Sequence, residues 1–274
     1  MDTTLHDAVE HMIVRYHHGC QLVLLFDYDG TLVECRARPV QAKLPQTTRH
    51  DLESLADLPR VTVGVVSGRE LSELERMVGL PDLFYAGTDG LELELHRSRV
   101  VHPLVQHCAP LLADVATRLK SVIRQFSEAW LERKPFGLTL HYQELDPPAK
   151  SALQSRVEHE LSAWGDRLHV VTGAAAIEIT PNLGWNKGTA IEFLLQRLAP
   201  DPCLPLFAGD ESSDIEALWE VGIHNGITIG VGHSSPLTAQ YELSDCQAVH
   251  ALLKDLCLAL GCGGAPAPAP TCRK

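Results

Sequence analysis

The sequence predicts an α/β fold, a doubly wound, Rossmann-like parallel-sheet core with an inserted α+β cap domain. Three observations predict it. Short, continuously apolar runs at 23–26, 61–66 and 204–208 read as strands buried on both faces. Helical spacing at 47–58, 70–78 and 187–198 supplies the strand–helix alternation of such a sheet. Between 104 and 184 that alternation gives way to helix, paired strands, helix, paired strands, the order of a separate α+β unit.

Each element follows from local chemistry. Residues 5–16 place Asp7, Glu10 and Arg15 among apolar positions and are expected to form an amphipathic helix rather than a leader. The strand at 23–26 ends in a turn at Gly30, followed by a polar stretch with Pro39 and Pro45. The helix at 47–58, the strand at 61–66, the helix at 70–78 and a strand at 83–86 complete the first half of the core. A helix is expected over 104–128, then strands at 129–133 and 138–142. Pro147-Pro148 opens a helix to 164, since proline is tolerated in a first helical turn. Strands at 168–171 and 176–180 follow. The core resumes with a helix at 187–198, a strand at 204–208, a helix at 213–220 and a strand at 226–231. The expected division is core at 1–103 and 185–260, cap at 104–184, and a disordered Gly/Ala/Pro tail at 261–274.

The 274 residues, 45% of them hydrophobic, suffice for a sizeable core. A net charge of −12 with no Lys/Arg run argues against nucleic acid and anionic membranes as partners. It leaves room for a phosphorylated small molecule, because a bound cation and a few placed basic groups reverse the local field. The eight cysteines form no Cys-x-x-Cys pair, which favours reduced thiols over disulfides or zinc. The apolar run at 22–26 is far too short to span a bilayer. A cytoplasmic protein, a monomer or small homo-oligomer, is expected.

The chemistry gathers at strand ends. Asp27-Tyr28-Asp29-Gly30-Thr31 follows the first apolar run, where open α/β sheets bind ligands. One carboxylate there can attack phosphorus and the other can shuttle a proton. A plain Asp-Gly turn capped by Thr31 would read the same way in isolation. Ser67-Gly68 ends the second strand, where a hydroxyl and nearby N–H groups could hold a phosphoryl oxygen. Lys187 opens a helix, a position the helix dipole disfavours for a cation, which suggests a role in neutralising Asp27 and a phosphoryl group. Gly209-Asp210-Glu211-Ser212-Ser213-Asp214 puts three acids at a third strand end. A divalent cation would relieve their repulsion, and an acidic helix cap is the alternative.

These motifs, in this order, resemble the haloacid dehalogenase superfamily of phosphotransferases. The resemblance implies Asp27 as nucleophile, Asp29 as general acid/base, and Ser67 and Lys187 as catalytic phosphate binders. It also implies Mg2+ held by Asp27, Asp29 (through its backbone carbonyl), Asp210 and Asp214. Because 120 residues separate Ser67 from Lys187, the insertion falls between the second and third motifs, as in members acting on sugar phosphates. Within it, the segments 130–142 and 177–188, with Ser67-Gly68-Arg69, resemble the trehalose-6-phosphate phosphatase family. That resemblance implies hydrolysis of trehalose 6-phosphate to trehalose and phosphate through an aspartyl phosphate. It implies Gly68, Arg69, Arg133, Lys134, His141 and Glu178 as substrate-binding residues. Asp89, Gln143, Thr180 and Glu211 depart from the family's usual His, Arg, Arg and Asp. Another glycosyl phosphate (glucosylglycerol phosphate or a glycosyl-phosphoglycerate), a phosphomutase and a non-catalytic sugar-phosphate-binding module are the alternatives.

Overall fold

The computed structural model describes residues 4–34, 43–173, 175–198, 203–232 and 238–262. The polar stretch around Pro39, Cys35, and the tail from 263 onward, with its expected disorder, lie outside the described residues.

Six parallel strands form the body of the main sheet: β1 (Gln21–Phe26), β2 (Val61–Val66), β3 (Phe84–Gly87), β10 (Cys203–Gly209), β11 (Ile227–Val231) and β12 (Tyr241–Leu243). An antiparallel hairpin, β4 (Glu92–Leu95) and β5 (Ser98–Val101), extends one edge. The strand order is β12-β11-β10-β1-β2-β3-β4-β5, so β1 lies centrally with β2 and β10 as its neighbours. Its side chains alternate strictly. Leu22, Leu24 and Phe26 pack with α1 (Leu5–His17), α2 (Gln46–Ala56), α3 (Leu71–Val78) and α8 (Cys246–Leu260). Val23 and Leu25 pack on the other face with α6 (Lys187–Leu198) and α7 (Ile215–Ile223). Helices on both faces account for the continuously apolar strands. The hairpin β4–β5, the strand β12 and the helix α8 are absent from the sequence expectation.

The second sheet is antiparallel, in the order β6-β7-β9-β8. Its strands are β6 (Trp130–Lys134), β7 (Gly137–His141), β8 (Leu168–Thr172) and β9 (Ala176–Pro181). Leu138, Leu140, Ile177 and Ile179 turn one face toward α4 (Ala109–Ile123) and α5 (Pro147–Leu161) and form a hydrophobic cluster of their own. The chain enters this unit after β5 and leaves it before α6, as an insertion in the core. The helix expected over 104–128 is shorter, a 3-10 turn at Val105–Cys108 followed by α4. No helix among the described residues is long and apolar enough to cross a membrane. The described cysteines are free thiols.

Candidate active site

Parallel strands that end side by side deliver their following residues to one edge. The Asp27 N–H bonds the Ala208 carbonyl at 2.9 Å, continuing the β1–β10 register past the strand end. The Ser67 N–H bonds Ala86 O at 2.8 Å, so the β2 end is tied to β3 in the same way. Asp27, Ser67 and Asp210 thereby follow three adjacent strands at their carboxyl ends, in the crevice where such sheets bind ligands.

Lys187 ties the centre together. Its Nζ donates to Asp27 Oδ1 at 2.8 Å and to Asp214 Oδ1 at 2.7 Å, with the side chain only 1% exposed. Burial alone would lower its pKa, but Asp214, Asp27, Asp89 and Glu211 outweigh that and hold it well above the usual lysine value. Burial pushes the Asp27 carboxyl well above the usual range, against Lys187, with Asp214, Asp210 and Glu211 adding repulsion. Asp210 is pushed up to about 8, by burial first and then by Asp214 and Glu211. One carboxylate oxygen from each of Asp27, Asp210 and Asp214 lies within 4.8 Å of the others. Three hard oxygens this close are the donor set a divalent cation takes. Asp214 Oδ2 also accepts the N–H groups of Asp210 at 3.0 Å and Glu211 at 3.2 Å, which fixes the loop that presents Asp210. Gly30, at φ +90°, makes room for Asp210: a Cβ there would fall 2.1 Å from Asp210 Oδ2.

Asp29 stands apart from this carboxylate cluster. Its two oxygens accept from Arg69, Nε to Oδ2 at 2.5 Å and Nη2 to Oδ1 at 2.7 Å. Arg69 also donates to Glu73 at 3.2 Å and lies over the Tyr28 ring. In this arrangement the Arg69 side chain holds Asp29. Ser67 Oγ accepts the Arg69 N–H at 3.3 Å, and Ser67 O accepts the Asp89 N–H at 3.1 Å.

The cap reaches this edge through one face of its sheet. Successive strand residues alternate faces. Glu132 and Lys134 therefore share a face with Thr139 and Glu178, as the pairs Glu132↔Thr139 and Thr139↔Glu178 require. Lys134 Nζ donates to Gly68 O at 3.0 Å and to Glu178 Oε1 at 3.3 Å. A Cβ on Gly68 would lie 2.3 Å from Glu178 Oε2, so only glycine admits this approach of cap to the loop after β2. Glu178 is held below the usual range: burial would raise it, but Lys134 and Lys187 prevail. His141 Nε2 pairs with Glu132 Oε2 at 2.8 Å. Arg133, expected in the site beside Lys134, stands on the opposite face of the strand. It pairs with Leu138, on the face turned away from the core, and is exposed. Adjacent residues in a strand cannot both face the site, and Lys134 is the one that does.

Two residues missing from the expected site belong to it by position. Glu132 is findable by stepping two residues back from Lys134. Asp89 is less so. It sits at φ +52° and is buried, its Oδ1 has no hydrogen-bond partner, and its carboxyl is pushed up to about 8, by burial first and then by Glu178. Nothing in a Thr-Asp-Gly turn announces that burial.

Comparison with known proteins identifies a family for the chain. The family model described as trehalose-phosphatase matches residues 25–246. The trehalose-phosphate phosphatase of Mycobacterium tuberculosis is 31% identical over 224 residues, covering 78% of this chain and 54% of that protein. The Mycobacterium marinum protein of the same name is 30% identical, covering 77% of this chain and 54% of its own. The chain thus spans about half the length of these relatives. The C-terminal domain of the Candida albicans trehalose-6-phosphate phosphatase superposes with a TM-score of 0.79 at 22% identity, covering 95% of this chain and 98% of that domain, and shares the fold. The chain belongs to the trehalose-phosphatase family.

Proposed function

We propose that the chain is a magnesium-dependent phosphatase that hydrolyses trehalose 6-phosphate to trehalose and phosphate, with Asp27 as nucleophile. The observation that carries this reading is Lys187 bridging Asp27 and Asp214 inside a triad of carboxylates at the strand ends. Lys187 orients one Asp27 oxygen and leaves the other to attack phosphorus. The bond from phosphorus to the sugar C6 oxygen breaks as the Asp27–phosphorus bond forms, and Asp29 gives its proton to the departing oxygen. Asp29 then takes a proton from water, whose oxygen attacks phosphorus and releases Asp27 and phosphate. Both Asp29 oxygens accept from Arg69 in this arrangement, so Arg69 must release one of them before Asp29 can carry the proton. Asp27, Asp210 and Asp214, with the Asp29 backbone carbonyl, would hold Mg2+, which when bound supplies charge neutralisation for the phosphoryl oxygens. Ser67 stands beside Asp27 to bind a phosphoryl oxygen, and Lys134, His141 and Glu178 face the sugar.

The test is phosphate release from a panel containing trehalose 6-phosphate, sucrose 6-phosphate, glucosylglycerol phosphate and glucose 6-phosphate, with Mg2+ present. Trehalose 6-phosphate is expected among the best substrates, and the name of the substrate fails if it is not. Asp27→Asn is expected to abolish turnover on the whole panel; retention of near-normal activity overturns the mechanism.

A further inference from the structure

On the site-facing side of the cap sheet, Trp130, Glu132 and Lys134 follow one another at alternate positions of β6. Lys134 anchors the near end of this row against the loop after β2 through Gly68 O. Glu132 shares its face with Thr139 and Glu178, so the middle of the row also looks toward the core. Trp130 is the far end. Its ring lies parallel to the His141 ring, with centroids 3.9 Å apart and planes 16° apart. His141 is itself fixed by Glu132 at 2.8 Å. With one face covered in this way, Trp130 still keeps 48% of its surface exposed. A large aromatic, immobilised from behind and open in front, is unusual for a residue whose neighbours in the row are charged.

Distance along the strand gives the open ring a place in the substrate. Four residues separate Trp130 from Lys134, or roughly 13 Å of strand. That matches the reach from a phosphate across one pyranose ring to a second. A pyranose presents one face of axial C–H groups, and an exposed indole is an apolar plane of suitable size for it, while His141, held by Glu132, backs the opposite face of the indole. A cross-strand aromatic pair can also simply stabilise a sheet edge. That role needs the stack on His141 but not the open face.

We propose that the exposed face of Trp130 is the floor of a subsite for the sugar ring distal to the phosphate, so that Trp130 is a specificity-determining residue for two-ring over one-ring sugar phosphates. The proposal rests on the reading of the chain as a glycosyl-phosphate phosphatase. It is tested by calorimetric titration of the Mg2+-loaded full chain with two unreactive analogues, trehalose 6-sulfate and glucose 6-sulfate. Wild type, Trp130→Phe and Trp130→Ala are compared, with a urea midpoint for each. Wild type is expected to bind the two-ring sulfate about tenfold or more tighter than the one-ring sulfate, the scale of burying one sugar face on an aromatic ring. Trp130→Ala is expected to erase that preference, and Trp130→Phe, which keeps the stack on His141, to retain most of it. The subsite is overturned if wild type shows no preference, if Trp130→Ala preserves it, or if Trp130→Ala weakens both ligands alike. Turnover of trehalose 6-phosphate is measured separately. A Trp130-dependent preference without turnover sinks the proposed function and leaves the subsite standing. Turnover with a Trp130-independent preference does the reverse.

Discussion

At the scale of single residues, the core motif was readable because each acid or hydroxyl stands one step beyond an apolar strand. Asp27, Ser67 and Asp210 announce themselves by that position, and Lys187 by an unfavourable place at a helix start. The cap residues were less readable, since Arg133 and Lys134 are adjacent and only the register decides between them. Asp89 was the hardest, because its cost lies in burial. That cost has a measurable sign. Its carboxyl goes from an ordinary 3.8 in the unfolded chain to about 8 in the fold. Below pH 3.8 both states are protonated and nothing is lost; from there to about 8 the unfolded chain ionises first, and folding stability falls as pH rises. Asp89→Asn keeps the shape and a donor toward Glu178 but removes the charge. It is expected to match wild type near pH 4 in urea unfolding and to become progressively more stable toward pH 8, by at most about 1.4 kcal/mol per pH unit. A constant difference across that range would contradict the assignment.

At the scale of elements, apolar periodicity identified the strands and helices that surround β1. It missed the hairpin β4–β5 for a specific reason. The turn is made by His96 and Arg97, at φ +49° and +63°, where Asn or Gly is the usual signal. Helix α8 carries the spacing Val249, Leu252, Leu253, Leu256, Leu260, which marks a helix as plainly as α6 does. The cap sheet's separate hydrophobic cluster has its own consequence. Ile179 is fully buried there, against α4 and α5. Ile179→Ala is expected to cost roughly 2–5 kcal/mol in unfolding free energy. Because its neighbours Glu178 and Thr180 face the core, the same change is expected to raise KM for the sugar phosphate more than it lowers kcat. An equal effect on both would mean that the cap cluster does not position Glu178.

For the whole molecule, Asp27, Asp210, Glu211 and Asp214 gather at one edge of the main sheet around the buried Lys187. Asp27 and Asp210 therefore hold protons more readily than ordinary carboxylates, and a cation competes with those protons. The Asp210 carboxyl, pushed up to about 8, destabilises the metal-free fold increasingly as pH climbs from 3.8 toward 8, so the cation's stabilising effect should climb with it. At one hundred times its Kd, Mg2+ is expected to add about 2.7 kcal/mol. The rise in Tm on adding Mg2+ should be larger at pH 8 than at pH 6, with protons released in a weakly buffered solution and full reversal by a chelator. A Tm shift independent of pH would rule out the displacement of protons from these acids.

Gly68 gives the fold a clearance only one hydrogen atom deep. Where the loop after β2 passes beneath the cap, the place of a methyl group is already taken by the tip of Glu178. That tip is the free end of a flexible side chain, so Gly68→Ala should leave Tm nearly unchanged while wedging the carboxylate away from Lys134. The variant is expected to keep its metal and its reactivity toward a small aryl phosphate and to lose affinity for the sugar. One backbone position would thus serve as a spacer that sets how far recognition stands from chemistry, and lengthening it by a single carbon should uncouple the two.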